Sequence, residues 1–354
     1  MAALPQRPWP AAVAVSGGAD SLALCWLLSQ WAKHEGRAPP TVLSVDHGLC
    51  SGSEETARAV IARAQQWQLD AHVLSWEGPK RARNLEAAAR DARYQLLGDW
   101  CLSHAVKGLY VGHTLEDQAE TLLLRLGRGS GVDGLCAMSS LGPLPRDGYA
   151  GLDLVRPLLA LPRARLRALL QNLAIPWHED PMNEDLRFSR VRIRKAWPVL
   201  IAAGLEPERL VLASGHLRRA RSALQSAAEA FVASHCSFDD GDAQLNREAL
   251  AALPEEVGLR ALAMVLMRVS AKGYRPRFRR LLPLYNSICS GELGAGRTLL
   301  GCRLSPVPRA RRRFGKASLW VRGEAPRRSP QIGTVGVKEY AAAKGGSSRS
   351  DMED

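Results

Sequence analysis

Residues Ala11–Ser21 read AAVAVSGGADS, and Leu22, Leu24, Leu27 and Leu28 follow at helical spacing. Ala12–Val15 are small or β-branched apolar residues with the length and flanks of a strand buried on both faces. A polar, glycine-containing turn then runs straight into the apolar helical pattern, so the stretch predicts strand, loop and helix. Gly17 and Gly18 let backbone N–H groups approach an anion without a Cβ in the way. Ser16 and Ser21 add hydroxyls, and the start of the helix adds its positive end. That is the chemistry of a phosphate-holding loop made from Ser16, Gly17, Gly18, Ala19, Asp20 and Ser21. A tight βα turn capped by Asp20 or Ser21 uses the same residue types, and a bare pair of glycines would not decide between the two.

Working outward, the alternation of strand and helix continues. TVLSV at 41–45 reads as a strand ending in Asp46-His47-Gly48, 54–67 as a helix, and 71–76 as a third strand. A long Ala-rich helix is expected from Asn84, its N-cap, to about Ala105, with Gly108 beyond its end. A fourth strand, 109–111, stops at Gly112-His113-Thr114, and a helix over 116–126 is closed by Gly127. Such alternation predicts an α/β domain with a doubly wound parallel sheet, whose ligands sit beyond the carboxyl ends of the strands. The polar clusters at 16–21, 46–48 and 112–114 all fall there. Asp46 alone reads as a strand-end turn and His113 alone as a structural histidine; three such clusters at corresponding strand ends read as one shared cleft. Asp117 and Glu120 lie three apart and share a helix face, which suits a metal or an ammonium group; an acidic first turn complementing the helix dipole is the plainer alternative.

The 354 residues suit two or three domains. With 46% hydrophobic and 23% charged residues the composition is that of a soluble globular protein. No apolar run is long enough for a bilayer span, and MAALPQRPWP lacks the basic-then-apolar layout of a secretory signal, so a cytoplasmic location without a membrane partner is expected. The seven cysteines contain no C-x-x-C and no zinc or iron–sulfur spacing, and their odd number argues against a complete disulfide set. A net charge of +13 points to a polyanionic partner. The charge is concentrated in RFSRVRIRK at 187–195, RPRFRR at 275–280 and RARRRFGK at 309–316, which hold five, four and five basic groups with no acid among them.

Beyond 200, long helices are expected over 206–232, with a basic patch at Arg218, Arg219 and Arg221, and over 246–271, broken at Pro254. RTLLGCRL and ASLWVRG are short strand-like pieces within a Gly- and Arg-rich remainder. An α/β domain is therefore expected over 1–200, a mainly helical, basic nucleic-acid-binding region over 201–330, and a disordered tail, rich in Ala, Gly and Ser, over 331–354.

SGGADS resembles the SGGxDS signature of the PP-loop ATP pyrophosphatases and lacks the lysine of a Walker A loop. With VDHGL, NLEAAARDARY, GHTLEDQAETLLLRLGRGSG, RPLL and WHEDPMNEDLRFSRVRIRK in that order, the chain resembles the tRNA(Ile)-lysidine synthetase family over about 11–200. Two positions depart from the family pattern: Glu116 stands where its first of two Asp is usual, and Met182 sits in its usual DPSN; Asp117, Glu120, Asp180 and Asn183 match. The resemblance implies ATP and Mg²⁺ as cofactors, tRNA(Ile) with a CAU anticodon and free L-lysine as partners, and formation of lysidine at the wobble cytidine through an adenylated intermediate. It implies a metal at Asp20, lysine at Asp117 and Glu120, and further catalytic roles for Asp46, His113, Arg93 and Arg194, with Arg90 and Arg190 as alternatives to the two arginines. The oligomeric state is left open, a homodimer among the options. Two other readings compete: 2-thiolation of a tRNA base by a similar PP-loop protein, which would want paired cysteines, and a non-catalytic RNA-binding protein with a vestigial nucleotide site.

Overall fold

The computed structural model describes residues 7–49, 52–78, 85–136, 138–179 and 184–324. Asn84, Asp180, Met182 and Asn183, and the expected tail at 331–354, lie outside the described residues. The chain divides into two compact units, Met1–Ala228 and Glu229–Asp354.

In the first unit, β1 (Ala11–Ala14), α1 (Ala19–His34), β2 (Thr41–Asp46), α2 (Ser53–Gln66), β3 (Ala71–Ser75), α3 (Leu85–Ser103), β4 (Gly108–Val111) and α4 (Leu115–Leu126) follow the expected alternation within two residues at each described end. Then come α5 (Val132–Leu135), β5 (Leu141–Pro143), β6 (Asp153–Val155), α6 (Arg163–Asn172), α7 (Ser189–Ala202) and the part of α8 (Pro207–His235) up to Ala228. The sheet runs β3-β2-β1-β4-β6-β5. All of its pairings are parallel except β5 with β6, an antiparallel edge.

β1 sits at the centre because its side chains are small enough for helices to close over both faces. Val13 and Val15 pack with Leu22 and Leu28 of α1 and Leu166 and Leu170 of α6. Ala12, one residue out of phase, packs on the other face with Tyr94 and Leu97 of α3 and Leu109 of β4. The period of two thus supplies two separate cores from one strand, which defines a doubly wound sheet. The order reverses at β1, between β2 and β4, so the crevice opens at the carboxyl end of β1, directly at Ser16.

The second unit adds to the helical picture drawn from sequence. It is built on a five-stranded antiparallel sheet, β7-β8-β11-β10-β9, from β7 (Cys236–Asp239), β8 (Asp242–Asn246), β9 (Arg297–Leu299), β10 (Cys302–Pro306) and β11 (Ser318–Gly323). The expected 246–271 helix is α9 (Arg247–Ala251) and α10 (Glu255–Ser270), separated at Pro254, and α11 (Phe278–Cys289) follows. Leu262, Leu266, Ile288 and Leu304 are fully buried in this unit. The division between units falls within α8, beyond the 200 expected from sequence.

Candidate active site

A cleft of about 640 Å³ opens at the switch point, of the size that holds a nucleotide. Its floor is the loop after β1. Gly17 has φ +86, and a Cβ there would lie 2.7 Å from Thr56 Cγ2, so both conformation and space demand glycine. Gly18 differs: its φ is −74 and an added Cβ would approach only Ser16 Oγ, at 3.8 Å. Its missing side chain keeps the cleft open and relieves no strain. Ser21 ties the loop together, its Oγ donating to the Gly18 carbonyl at 3.0 Å and accepting from the Ser16 N–H at 3.2 Å. The His178 N–H donates to the Gly17 carbonyl at 3.0 Å, fastening a later segment over the loop. Gly112 at the end of β4 closes the other side, where a Cβ would stand 3.0 Å from the Asp20 carbonyl oxygen.

Above the loop is a cluster of acids and arginines. Asp20, in the first turn of α1, meets the carboxylates of α4 through Arg163, the first residue of α6. Arg163 Nε donates to Asp20 Oδ2 at 2.9 Å, Nη2 to Asp117 Oδ1 at 2.7 Å and Nη1 to Glu120 Oε1 at 3.4 Å. Its backbone N–H donates to both oxygens of Glu116, at 3.0 and 3.1 Å, so Glu116 caps α6. From α7, Arg194 Nε donates to Glu120 Oε1 at 2.8 Å, and Arg190 Nη1 lies 3.9 Å from Asp117 Oδ1. Asp117 Oδ2 accepts from the N–H and hydroxyl of Thr114, so this carboxylate starts its own helix with one oxygen and pairs with arginine through the other.

These surroundings set the charges. Burial pushes Asp20 up to about 6 against the pull of Arg163. Burial also raises Asp117, but the neighbouring guanidinium charges, Arg163 foremost, and the Thr114 N–H hold the group below the ordinary carboxylate range. His113 is driven down to about 3, chiefly by burial, so the imidazole is neutral. Arg163 loses by burial and gains more from Asp117, Glu120 and Asp20, so it stays protonated. Asp20 Oδ1, Glu120 Oε2 and His113 Nδ1 are buried polar atoms without a hydrogen-bond partner among the described residues.

Asp20, His113, Asp117, Arg93 and Arg194 line the cleft. Glu120 is fully buried one layer behind, under the two arginines. Asp46 turns into its own loop, where Oδ1 accepts from the Gly48 N–H at 2.8 Å and the Ser53 hydroxyl at 2.7 Å and so organises the start of α2. Arg93 stands 5.5 Å from the Tyr94 ring centre. Arg163 and His178 do not stand out in the sequence as site residues, whereas Gly112 belongs to the 112–114 cluster. A signal existed for Arg163: a cation in the first turn of a helix opposes the macrodipole, and α6 carries no acid of its own there, so acids from elsewhere had to meet it. Glu116, noted as a departure from a family pattern, supplies one of them.

Fold and cleft together define a nucleotide-binding α/β protein whose phosphate site is made of backbone. Residues 5–200 match the PP-loop domain family. Over 316 residues the chain is 35% identical to the tRNA(Ile)-lysidine synthase of Wolbachia sp. subsp. Brugia malayi, covering 88% of this chain and 70% of that one. It is 40% identical over 318 residues to the enzyme of that name from Methylobacterium sp. (strain 4-46), covering 86% and 90%. It is 41% identical over 275 residues to that of Rhodopseudomonas palustris, covering 75% and 77%. The chain belongs to the tRNA(Ile)-lysidine synthase family.

Proposed function

We propose that the protein ligates lysine to C2 of the wobble cytidine (C34) in the CAU anticodon of tRNA(Ile), using ATP and forming lysidine with release of AMP and pyrophosphate. Beside family membership, the observation that carries this is the junction of a Cβ-free phosphate loop with a buried acid–arginine cluster in one cleft. The loop suits the first step. Backbone N–H groups and the start of α1 stabilise the charge on departing pyrophosphate, and the C2 oxygen takes the adenylyl group. Asp20 fits Mg²⁺, because Oδ1 is a buried carboxylate oxygen without a partner among the described residues, and Mg²⁺ takes one or two carboxylates and otherwise phosphate and water oxygens. When bound, the metal supplies positive charge to the phosphates.

The acid cluster suits the second step, in which the lysine amine forms the C–N bond and AMP departs with the electrons of the C–O bond. The ammonium, with an ordinary pKa of ~10.4, must shed a proton before attack. Asp117 and Glu120 recognise the cation in this proposal, Asp117 from the cleft wall and Glu120 as a buried negative charge one layer behind it. Neutral His113 serves as a hydrogen-bonding group and not as a stored proton. Arg93 and Arg194, both lining the cleft, neutralise adenylate charge. The basic runs at 275–280 and 309–316 bind tRNA phosphate. Residues 1–200 carry the chemistry, and a cytoplasmic location follows from the substrate; no described helix is long and apolar enough to cross a membrane.

Incubation with ATP, labelled lysine and total tRNA, followed by digestion and identification of the nucleoside, tests the reading. It predicts a lysine-bearing cytidine from tRNA(Ile) alone. A thiolated base, or tRNA binding without modification, would contradict it.

A further inference from the structure

Arg163 touches both halves of the cleft and belongs to neither. Its three guanidinium nitrogens divide between Asp20 of the phosphate loop, at 2.9 Å, and Asp117 and Glu120 of α4, at 2.7 and 3.4 Å. Its main-chain N–H is held by Glu116, so position and orientation are both fixed. The side chain is 21% exposed and the partner carboxylates of α4 are 8% and 0% exposed, so little water screens the contacts. A guanidinium is a rigid planar fork that offers its donors in fixed directions, which an ammonium on a flexible stem does not.

We propose that Arg163 is a positioning residue that couples the two half-sites, holding the phosphate-loop carboxylate and the amine-site carboxylates on one rigid cation so that they are placed together. The inference rests on the proposed lysidine chemistry. Removing the guanidinium leaves the carboxylates of α1 and α4 facing one another with one cation fewer. Repulsion then moves Asp20 away from the loop geometry and Asp117 and Glu120 away from the amine, so the two steps deteriorate together and not singly. A guanidinium that only filled space would not show this linkage.

The test uses the full chain with tRNA(Ile). Pyrophosphate release without lysine, and the KM for lysine in lysidine formation, are measured for wild type, Arg163→Ala, Arg163→Lys and, as a control, Arg165→Gln, an exposed position on the same helix. Arg163→Ala should slow pyrophosphate release and raise lysine KM, each at least about tenfold, the size of a missing hydrogen bond between charged groups. Methylguanidinium added to Arg163→Ala should restore both quantities along one concentration curve. Arg163→Lys, which keeps charge without the fork, should restore neither fully, and Arg165→Gln should leave both unchanged. Loss of one quantity alone, or rescue of one alone, would overturn the coupling. Should melting curves show Arg163→Ala unfolded, Arg163→Lys decides: both quantities worsening supports the proposal, one alone overturns it. If wild type releases pyrophosphate but yields no lysine-bearing nucleoside, the functional reading itself falls, and the coupling with it.

Discussion

The phosphate loop and the acid cluster face one cleft, yet the loop is shaped mainly by neighbours in sequence and the cluster mainly by distant residues. Ser16, Gly18 and Ser21 fix the loop through hydrogen bonds spanning three to five residues. The carboxylates of α4 are fixed by arginines 43 to 77 residues further along the chain. The loop is therefore a local object, demanding particular residue types at particular positions. The cluster is a charge balance assembled only when α1, α4, α6 and α7 have packed. A substitution in the first should act through backbone geometry and abolish one step; one in the second should act through electrostatics and be graded.

The sharpest attempt to break this contrast is Gly17→Val. A β-branched side chain at φ +86 that also meets Thr56 at 2.7 Å cannot be accommodated without moving the loop. Pyrophosphate release should fall at least about 100-fold, which needs only ~2.7 kcal/mol less transition-state stabilisation, while tRNA affinity changes little. A variant that released pyrophosphate at the wild-type rate would remove the loop from the mechanism. Gly112→Ala is the milder version, because its Cβ would press on Asp20 backbone atoms at 3.0 Å and displace the start of α1 by a few tenths of an ångström. A roughly tenfold loss in the same rate is expected, with lysine KM less affected.

The contrast also explains what could be read from sequence. The loop, the strand-end clusters and the alternation of strands and helices through α4 were legible because each rests on short-range periodicity or turn chemistry. Asp117 and Glu120 were legible as a pair, since a spacing of three fixes their common face. That Glu120 lies beneath two arginines, and that Arg163 joins the acids to Asp20, was not, because neither partner has a sequence relation to the other. In the second unit, RTLLGCRL and ASLWVRG are strand-like in sequence and form β9 with β10, and β11. β7 and β8 do alternate apolar and polar residues, as CSFD and DAQLN, but each is only four or five residues long, and the pairing of β8 with β7 on one side and distant β11 on the other defines them.

Two smaller effects sharpen the comparison from outside the cleft. Arg218, Arg219 and Arg221 are exposed on α8, and Arg221 pairs with Asp133 at 3.2 Å, a surface ion pair worth little. Replacing all three with Gln should weaken tRNA binding and lower the slope of log K against log salt, by about 0.7 to 0.9 for each phosphate no longer neutralised, without changing ATP binding. An unchanged slope would make the patch merely solvated. Asn246 Oδ1 caps α9 by accepting the Ala249 N–H at 3.1 Å, and Asn246→Ala should cost about 1 kcal/mol in denaturant unfolding of the second unit. Pyrophosphate release at permissive temperature should be untouched, and a parallel fall would show that the chemistry depends on that unit's stability.

The central claim is that the two halves of the cleft serve successive steps, and Glu120→Gln addresses it most directly. The change keeps size and removes one charge from a fully buried site that meets two arginines. Pyrophosphate release and lysidine formation are to be counted in the same reactions across a lysine titration. A hydrogen bond to a charged group is worth about 1.5–3 kcal/mol, so lysine KM should rise roughly tenfold or more while adenylation persists. An unaltered lysine KM, or a loss of pyrophosphate release in proportion to lysidine formation, would contradict the division of labour.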